Sequence, residues 1–210
     1  MRGQKKPGAT RRRISRAHID VILLEPQKSE NIGSVARAMA NTGLGRLILV
    51  RPRLSNLSLM EASATRQGEG ILESALIFSD LPLALSPYNF IVGTTARLGE
   101  NRGKVLSPRE LAPTLLCDDI GRVALIFGTE REGLTTEELR LANNVVSIPT
   151  ESPEASSLNL SQAVLIMGYE LLLAATEEPA PLNIKAAEFS DLERAYQDLE
   201  KVLVEIGFLP

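Results

Sequence analysis

Short β-branched runs alternate with stretches of helical periodicity from Ile19 to Ala175. This alternation predicts βα units, in which parallel strands form a central sheet and helices cover both of its faces. The predicted strands are Ile19–Leu24, Arg46–Arg51, Ala75–Phe78, Asn89–Gly93, Arg122–Phe127 and Val145–Ile148. The predicted helices lie near 32–42, 58–67, 107–116, 135–142 and 160–175. We therefore expect an α/β domain that binds its ligand where the strands end.

The composition excludes several kinds of site. Of the 210 residues 44% are apolar, enough for a full core, but Cys117 is the only cysteine and His18 the only histidine. An internal disulfide and a Cys/His zinc cluster are therefore excluded, and no metal is expected. No apolar run is long enough to span a membrane, and the basic N-terminus lacks the apolar segment of a secretory signal. The expected location is the cytoplasm, with chemistry that depends on Arg, Glu, Asn, Ser or a bound cofactor.

The net charge of −3 conceals an uneven distribution. The first 16 residues contain seven Lys or Arg and no acid, so the rest of the chain contains 16 bases and 26 acids. Residues 1–17 are predicted to form a basic, flexible arm. Such an arm either neutralises nucleic-acid phosphates, here through Arg11, Arg12 and Arg13, or serves as a solubilising extension.

The loop between the last predicted strand and the helix at 160–175 is rich in small polar residues. Ser156, Ser157 and Asn159 precede the helix, and any one of them can be its N-cap. A cap needs one side chain, whereas three polar groups are present. The sequence leaves open whether the others contact a ligand.

The first predicted helix has a similar start. Ser29 or Asn31 can cap it, and Ile32, Val35, Ala36 and Met39 form its apolar stripe. Gly33 in the first turn indicates that some group approaches the backbone there. Arg37 lies off the stripe, and the simplest interpretation is that it is a solvated arginine on an ordinary surface helix.

Two further strand ends carry polar residues. Glu130 follows the strand 122–127 by a few residues, at the functional edge of the predicted sheet, although it can equally belong to a polar turn. The strand 89–93 is followed by Thr94, Thr95 and Ala96, and then by a glycine-containing basic loop with Arg97, Arg102 and Lys104, which suits phosphates. Neither a GxGxxG nor a GxxxxGK[ST] pattern is present, so a dinucleotide or P-loop site is not supported.

Three segments resemble, in order and separation, the motifs of the SpoU/TrmH family of RNA ribose 2′-O-methyltransferases in the SPOUT superfamily. They are NIGSVAR (31–37), IFGTEREGL (126–134) and SIPTESPEASSLNLSQAV (147–164). LLEPQKSENIGSVARAM, GTTAR and LEKVLVEIGFL are most similar to the TrmJ-type group, which methylates nucleotide 32, a cytidine or uridine, in the tRNA anticodon loop. The resemblance implies an α/β domain over 18–176 whose carboxyl part forms a trefoil knot, and a homodimer.

The family's roles can be transferred to the matching positions. By resemblance, S-adenosylmethionine is the methyl donor, S-adenosylhomocysteine the product and tRNA the substrate. Residues implied to bind the cofactor are Thr94, Thr95, Ala96, Gly128, Ile148, Ser157, Leu158 and Asn159. Residues implied to be catalytic are Arg37, Asn31, Glu130, Ser157 and Asn159. Arginine is an unsuitable base at its ordinary pKa, so we expect Arg37, of the same chain or of the partner subunit, to stabilise the forming alkoxide.

The C-terminal residues 177–210 are predicted to form a linker and an amphipathic helix over Ser190–Ile206. TrmJ-type proteins usually continue past the GFL segment into a further basic part, so either the chain is truncated or the N-terminal arm substitutes for that part. Two alternatives to tRNA methylation stay open. One is the same reaction on ribosomal RNA, and the other is a knotted RNA-binding protein without catalysis, against which the intact Arg37, Glu130 and Asn159 argue.

Overall fold

The computed structural model describes residues 16–53, 56–96, 105–117, 120–151, 157–176 and 189–209, with only the backbone for 189–196. The described strands form one parallel sheet in the order β3-β2-β1-β5-β4-β6. Their bounds are β1 Ile19–Leu24, β2 Leu47–Val50, β3 Leu76–Phe78, β4 Phe90–Thr94, β5 Val123–Phe127 and β6 Asn144–Val146. The predicted parallel sheet is therefore confirmed, with strand ends that differ by at most two residues.

Helices cover both faces of the sheet, as predicted. Their bounds are α1 Ser29–Thr42, α2 Leu57–Glu73, α3 Leu81–Leu85, α4 Pro108–Leu115, α5 Thr136–Leu139, α6 Leu160–Ala175 and α7 Phe189–Glu205. One apolar core lies between the sheet and α1, α2, α4 and α6, and a smaller one lies between the sheet and α3 and α5. Because β1 and β5 are central and buried on both faces, they are almost entirely apolar.

The largest differences from the predicted helices are at α3 and α2, while α1 begins three residues earlier and α5 ends three residues earlier than predicted. Helix α3 was not predicted, because five residues are too few to show a helical period. Asp80 caps it by accepting a hydrogen bond from the Leu83 N–H at 3.2 Å. Helix α2 extends to Glu73, six residues past its predicted end, across a kink at Thr65.

The predicted cap of α1 was wrong. Lys28 occupies the N-cap position and provides no side-chain hydrogen bond. The Ser29 hydroxyl instead accepts a hydrogen bond from the Asn56 N–H at 3.1 Å, which ties the start of α1 to the start of α2. The Asn31 side chain forms hydrogen bonds with Glu130 and Asn159 instead.

Helix α1 lies between α2 and α6, and glycines allow the close contacts. A Cβ on Gly33 would collide with the Met60 carbonyl oxygen, and a Cβ on Gly168 of α6 would collide with the Thr42 hydroxyl. The group that approaches the backbone at Gly33 is therefore helix α2. The close packing fixes α1 against the sheet.

The opposite end of the sheet, where the strands begin, contains a buried carboxylate. Asp20 is 1% exposed and accepts hydrogen bonds from the side chains of Arg46 at 3.0 Å, Arg122 at 2.7 Å and Tyr88 at 2.8 Å. Burial, and then the bond to Asp20, raise the pKa of the Tyr88 hydroxyl. These bonds satisfy a charge that would otherwise be costly to bury.

The chain divides into two compact units, the first ending at Glu177 and the second beginning at Glu178. In the second unit, α7 begins one residue before its predicted start. Its exposed apolar side chains include Leu199, Val202 and Ile206. In the described part of the chain, no helix has both the length and the apolar character needed to cross a membrane.

The contact between α1 and α2 gives a test of the fold. Gly33→Ala should lower the free energy of unfolding by about 1–3 kcal/mol, because the new Cβ meets backbone that cannot rotate away. Gly70→Ala, on α2, is the matched control. A Cβ on Gly70 has no neighbour within 4 Å, so this change should be neutral or stabilise by up to about 1 kcal/mol. Urea unfolding of both variants measures the difference, and equal effects would contradict the packing described.

Candidate functional site

A cleft opens at the carboxyl edge of the sheet, where β4, β5 and β6 end. Its wall is formed by Thr94–Ala96 after β4, Phe127–Leu134 after β5, Val146 and Ile148 around the end of β6, and residues at the start of α6. This is the edge at which an open parallel sheet binds ligands. Seven of the eight predicted cofactor residues line the cleft, namely Thr94, Thr95, Ala96, Gly128, Ile148, Ser157 and Leu158.

The cleft combines an apolar interior with polar groups. Its apolar lining includes Phe127, Leu134, Leu160 and Ala163, which the sequence analysis did not select. The sequence does contain a signal for Phe127, since it ends a buried strand at the functional edge. The other three lie within helical or loop patterns that resemble ordinary core positions.

A chain of side-chain hydrogen bonds joins the three sequence motifs beside the cleft. The Asn31 amide donates to a Glu130 carboxylate oxygen at 3.0 Å. The Asn31 carbonyl oxygen accepts from the Asn159 amide, also at 3.0 Å. Three residues that lie up to 128 positions apart in sequence therefore form one network, and each holds the next in a fixed orientation.

Glu130 caps helix α1 from a distant loop. Its carboxylate accepts hydrogen bonds from the backbone N–H groups of Gln27 at 3.0 Å and Lys28 at 3.1 Å. Because Lys28 provides no cap of its own, Glu130 supplies the negative charge that a helix N-terminus favours. The sequence analysis missed Gln27 and Lys28, since their contribution is through backbone groups, which no residue type reveals.

The protonation state of Glu130 follows from these contacts. Burial acts to raise the pKa of the carboxyl group, but the hydrogen bonds from the Asn31 side chain and from backbone N–H groups outweigh it. The pKa therefore lies below its ordinary value of 4.5. Glu130 is an anion near neutral pH and a weak proton acceptor.

Asn159 resolves the question of which polar residue caps α6. Its carboxamide oxygen accepts from the Ser161 N–H at 2.9 Å, and Gln162 completes a capping box. Asn159 also donates to Asn31, so it has a role beyond capping. Ser157 lines the cleft, whereas Asn159 does not, and Ser156 lies outside the described residues.

Arg37 does not line the cleft of its own chain. It is exposed on α1, six residues after Asn31, which corresponds to about 9 Å along the helix axis and a different side of the helix. The structure therefore brings together Asn31, Glu130 and Asn159, and leaves Arg37 apart from them.

Gly128 is required by the fold of the loop itself. A Cβ at this position would collide with the backbone of Gly133, whose own N–H donates to the Thr129 carbonyl at 2.9 Å. A substitution at Gly128 would therefore disturb the loop that carries Glu130. For that reason it cannot test cofactor binding separately from folding.

The predicted RNA-binding residues lie outside the described residues. Arg97, Arg102 and Lys104 fall within 97–104, and Arg11, Arg12 and Arg13 fall within 1–15. Among the residues that the structure does describe, no group of three His, Cys, Asp or Glu side chains is placed to hold a metal ion.

Comparison with known proteins identifies close relatives. Residues 18–169 match the SpoU rRNA Methylase family. The chain is 38% identical to the tRNA (cytidine/uridine/adenosine-2′-O-)-methyltransferase TrmJ of Pseudomonas aeruginosa, over 91% of this chain and 79% of that protein. It is also 38% identical to the tRNA (cytidine/uridine-2′-O-)-methyltransferase TrmJ of Pectobacterium atrosepticum, over 91% of this chain and 81% of the relative.

A solved structure agrees with these relatives. The crystal structure of TrmJ from Z. mobilis superposes with a TM-score of 0.68 at 36% identity, covering 91% of this chain and 82% of that one.

The capping role of Glu130 predicts a pH-dependent stability. Because the pKa is lowered in the folded state, the stabilisation is complete above the ordinary value of 4.5 and is lost as the pH falls through the lowered pKa. Glu130→Gln should therefore be less stable than wild type by about 1 kcal/mol at pH 7, and the difference should shrink in acid. Thermal unfolding across this pH range measures it.

The exposed neighbour Glu132 supplies the matched control. Glu132→Gln should stay close to wild type at every pH. A Glu130→Gln deficit that persists unchanged in acid would show that charge does not carry the effect.

Proposed function

The chain belongs to the SpoU rRNA methylase family, and from this membership we propose that it is an S-adenosylmethionine-dependent tRNA ribose 2′-O-methyltransferase. The proposed target is the cytidine or uridine at nucleotide 32 of the anticodon loop. The TrmJ relatives, which share 38% identity over 91% of the chain, support tRNA as the substrate. The product of the cofactor would be S-adenosylhomocysteine.

One observation carries the proposal. The network of Glu130, Asn31 and Asn159 lies beside the cleft at the functional edge of the sheet. It uses all three segments that resemble the family's motifs. If the resemblance of the motifs were incidental, there would be no reason for these three residues to be joined by hydrogen bonds.

The residues of the cleft fit the proposed cofactor. An adenosine group suits the apolar walls formed by Phe127, Leu134 and Ile148, and the hydroxyls of Thr94 and Ser157 can hold its polar edges. The carboxylates of Glu130 and Glu132 also line the cleft and complement a positively charged sulfonium. When bound, the cofactor supplies a reactive methyl group.

The chain's own residues would align the attack. A ribose hydroxyl is a poor nucleophile near neutral pH, so its orientation towards the methyl group matters most. Asn31 is 8% exposed, does not line the cleft and is fixed by hydrogen bonds on both sides, so its proposed role is to hold Glu130 and Asn159 in orientation. Arg37 is proposed to stabilise the negative charge that develops on the ribose oxygen.

The residues on either side of 97–104 form hydrogen bonds to both edges of β6. This arrangement supports a trefoil knot in the carboxyl part. The Thr95 N–H donates to the Val146 carbonyl at 2.9 Å. On the other edge, the Leu106 N–H donates to the Val145 carbonyl at 3.1 Å, and the Ser147 N–H donates to Leu106 at 2.9 Å. The chain that follows β4 therefore bonds one edge of β6 at Thr95 and the other edge at Leu106 before it enters α4.

We also propose that the protein is a homodimer whose catalytic unit spans 18–176, and that it acts in the cytoplasm. Leu165 and Tyr169 of α6 are 43% and 52% exposed, which is unusual for an apolar helix packed on a core. A second copy could cover these side chains. The same contact could bring Arg37 to the partner's cleft, since it does not line its own.

Methyl transfer from labelled S-adenosylmethionine tests the proposed reaction. Total tRNA should accept label on a ribose 2′ oxygen, and mapping should place it at nucleotide 32. Ribosomal RNA serves as the comparison substrate. Label in ribosomal RNA alone would identify the alternative substrate, and label in neither would indicate an RNA-binding protein without catalysis.

Arg37 provides the sharpest test of the mechanism. Arg37→Ala should lose most methyl transfer while cofactor affinity and the melting temperature change little, because an exposed helix arginine contributes little to folding. Arg37→Lys should not restore activity, since an ammonium cannot reproduce the planar, multi-donor guanidinium. Turnover numbers, calorimetric cofactor binding and melting curves give the three readouts.

A second possible role of Arg37 is to bind a phosphate of the RNA, and it predicts a different result. If Arg37 only anchors an RNA phosphate, Arg37→Lys should keep substantial activity, and the defect should appear in the KM for tRNA and weaken at low salt. Wild-type turnover by Arg37→Ala would remove Arg37 from the reaction.

A further inference from the structure

Three arginines lie at the amino edge of the sheet, opposite the cleft. Arg46 precedes β2, Arg122 precedes β5, and both bind the Asp20 carboxylate. Arg16 precedes β1 and donates from Nε to the Thr42 carbonyl at 2.7 Å, beside Gly43 in the turn that leads to Arg46. We name these three residues the amino-edge arginines.

In the described part of the chain, the three amino-edge arginines together contact a single carboxylate. Asp20 contributes one negative charge, which both Arg46 and Arg122 share, and Arg16 bonds to an uncharged carbonyl. The side chains of Arg46 and Arg122 are each 42% exposed, although their carboxylate partner is 1% exposed. The buried carboxylate therefore orients two guanidinium groups whose remaining N–H donors can reach solvent.

The arginines are held in place before any ligand arrives. Arg46 contacts Asp20 through both Nε and a terminal nitrogen, at 3.2 and 3.0 Å. Arg122 also lies 5.3 Å from the centre of the Tyr88 ring, a cation–π contact. Less side-chain entropy is therefore lost on binding than for a free surface arginine.

The charge distribution along the chain indicates the kind of ligand that suits the amino-edge arginines. Apart from the first 16 residues, the chain contains ten more acids than bases, so most of its surface repels a polyanion. Arg16 is the last of the seven bases among the first 16 residues, and its bond to Thr42 holds its guanidinium group near the amino edge. Three arginines of the described residues therefore lie at the same edge of the sheet.

We propose that the amino-edge arginines bind backbone phosphates of the RNA substrate and form a second RNA-binding surface on the side of the sheet away from the cleft. The inference rests on the proposed function, since it takes RNA to be the substrate. A five-residue strand spans about 16 Å, so the phosphates bound here belong to nucleotides away from the one in the cleft. Phosphate binding of this kind positions an RNA without reading its sequence.

Binding of a fluorescent tRNA transcript to the full chain, measured across a series of KCl concentrations, tests the proposal. The double variant Arg16→Gln, Arg122→Gln should bind more weakly. Its plot of log affinity against log salt should be shallower by roughly 0.7–0.9 for each phosphate that the variant no longer neutralises. Arg46 is kept because its three hydrogen bonds to Asp20 preserve the buried carboxylate.

Two comparisons separate phosphate binding from structural support. The matched Lys double variant should restore most of the affinity, because a point charge also neutralises a phosphate. Arg66→Gln, an exposed arginine of α2, should leave affinity and slope unchanged. If the double Gln variant fails to fold, Arg16→Gln alone gives the test, since Arg16 does not contact Asp20.

A folded Gln variant with the wild-type salt slope would overturn the proposal, as would a Lys variant as weak as the Gln variant. Methyl transfer by the wild type is measured separately. Normal methyl transfer with an unchanged slope rejects only the second RNA-binding surface. A shallower slope in the Gln variant, together with no methyl transfer by the wild type, rejects the proposed reaction and supports the second surface.

Discussion

The start of α1 and the candidate site both depend on the hydrogen bonds that the Glu130 carboxylate accepts. It lies on the loop after β5, and it bonds the backbone at the end of the loop after β1. These two strands are neighbours in a parallel sheet, so their carboxyl ends meet and the short bridge is possible. The same carboxylate orients Asn31, and Asn31 in turn orients Asn159.

The packing of α1 makes that geometry rigid. Close contacts at Gly33 hold α1 against α2, and close contacts at Gly168 hold it against α6. Backbone of α2 at Gly33 and the Thr42 side chain at Gly168 leave little space on either side of α1, and this packing holds Asn31 beside the cleft. Sites built on packed helices in this way are more precise than sites carried by loops alone.

Strand periodicity is a local signal and predicted the parallel sheet, and the polar strand ends indicated Thr94, Thr95 and Glu130 of the cleft lining. Gly128, Ile148 and Leu158 were expected there only from the resemblance of the motifs to a known family. It misassigned the cap of α1, since Glu130 is about 100 residues away from Lys28. It gave no indication of what approaches Gly33 and Gly128. A glycine shows that space is needed, whereas the occupant, here the backbone of Met60 and of Gly133, is decided by the tertiary fold.

The described lining of the cleft contains the carboxylates of Glu130 and Glu132 and a single cation, Arg131. Glu130 is committed to four hydrogen bonds and has a lowered pKa, so it is poorly suited to accept the ribose proton. Arg131 is exposed on a turn, and Arg37 lies outside its own cleft. If Arg37 is the cation that stabilises the alkoxide, as proposed, one chain would supply the cofactor pocket and a second chain would supply Arg37. Association would then be a condition of catalysis rather than only of stability.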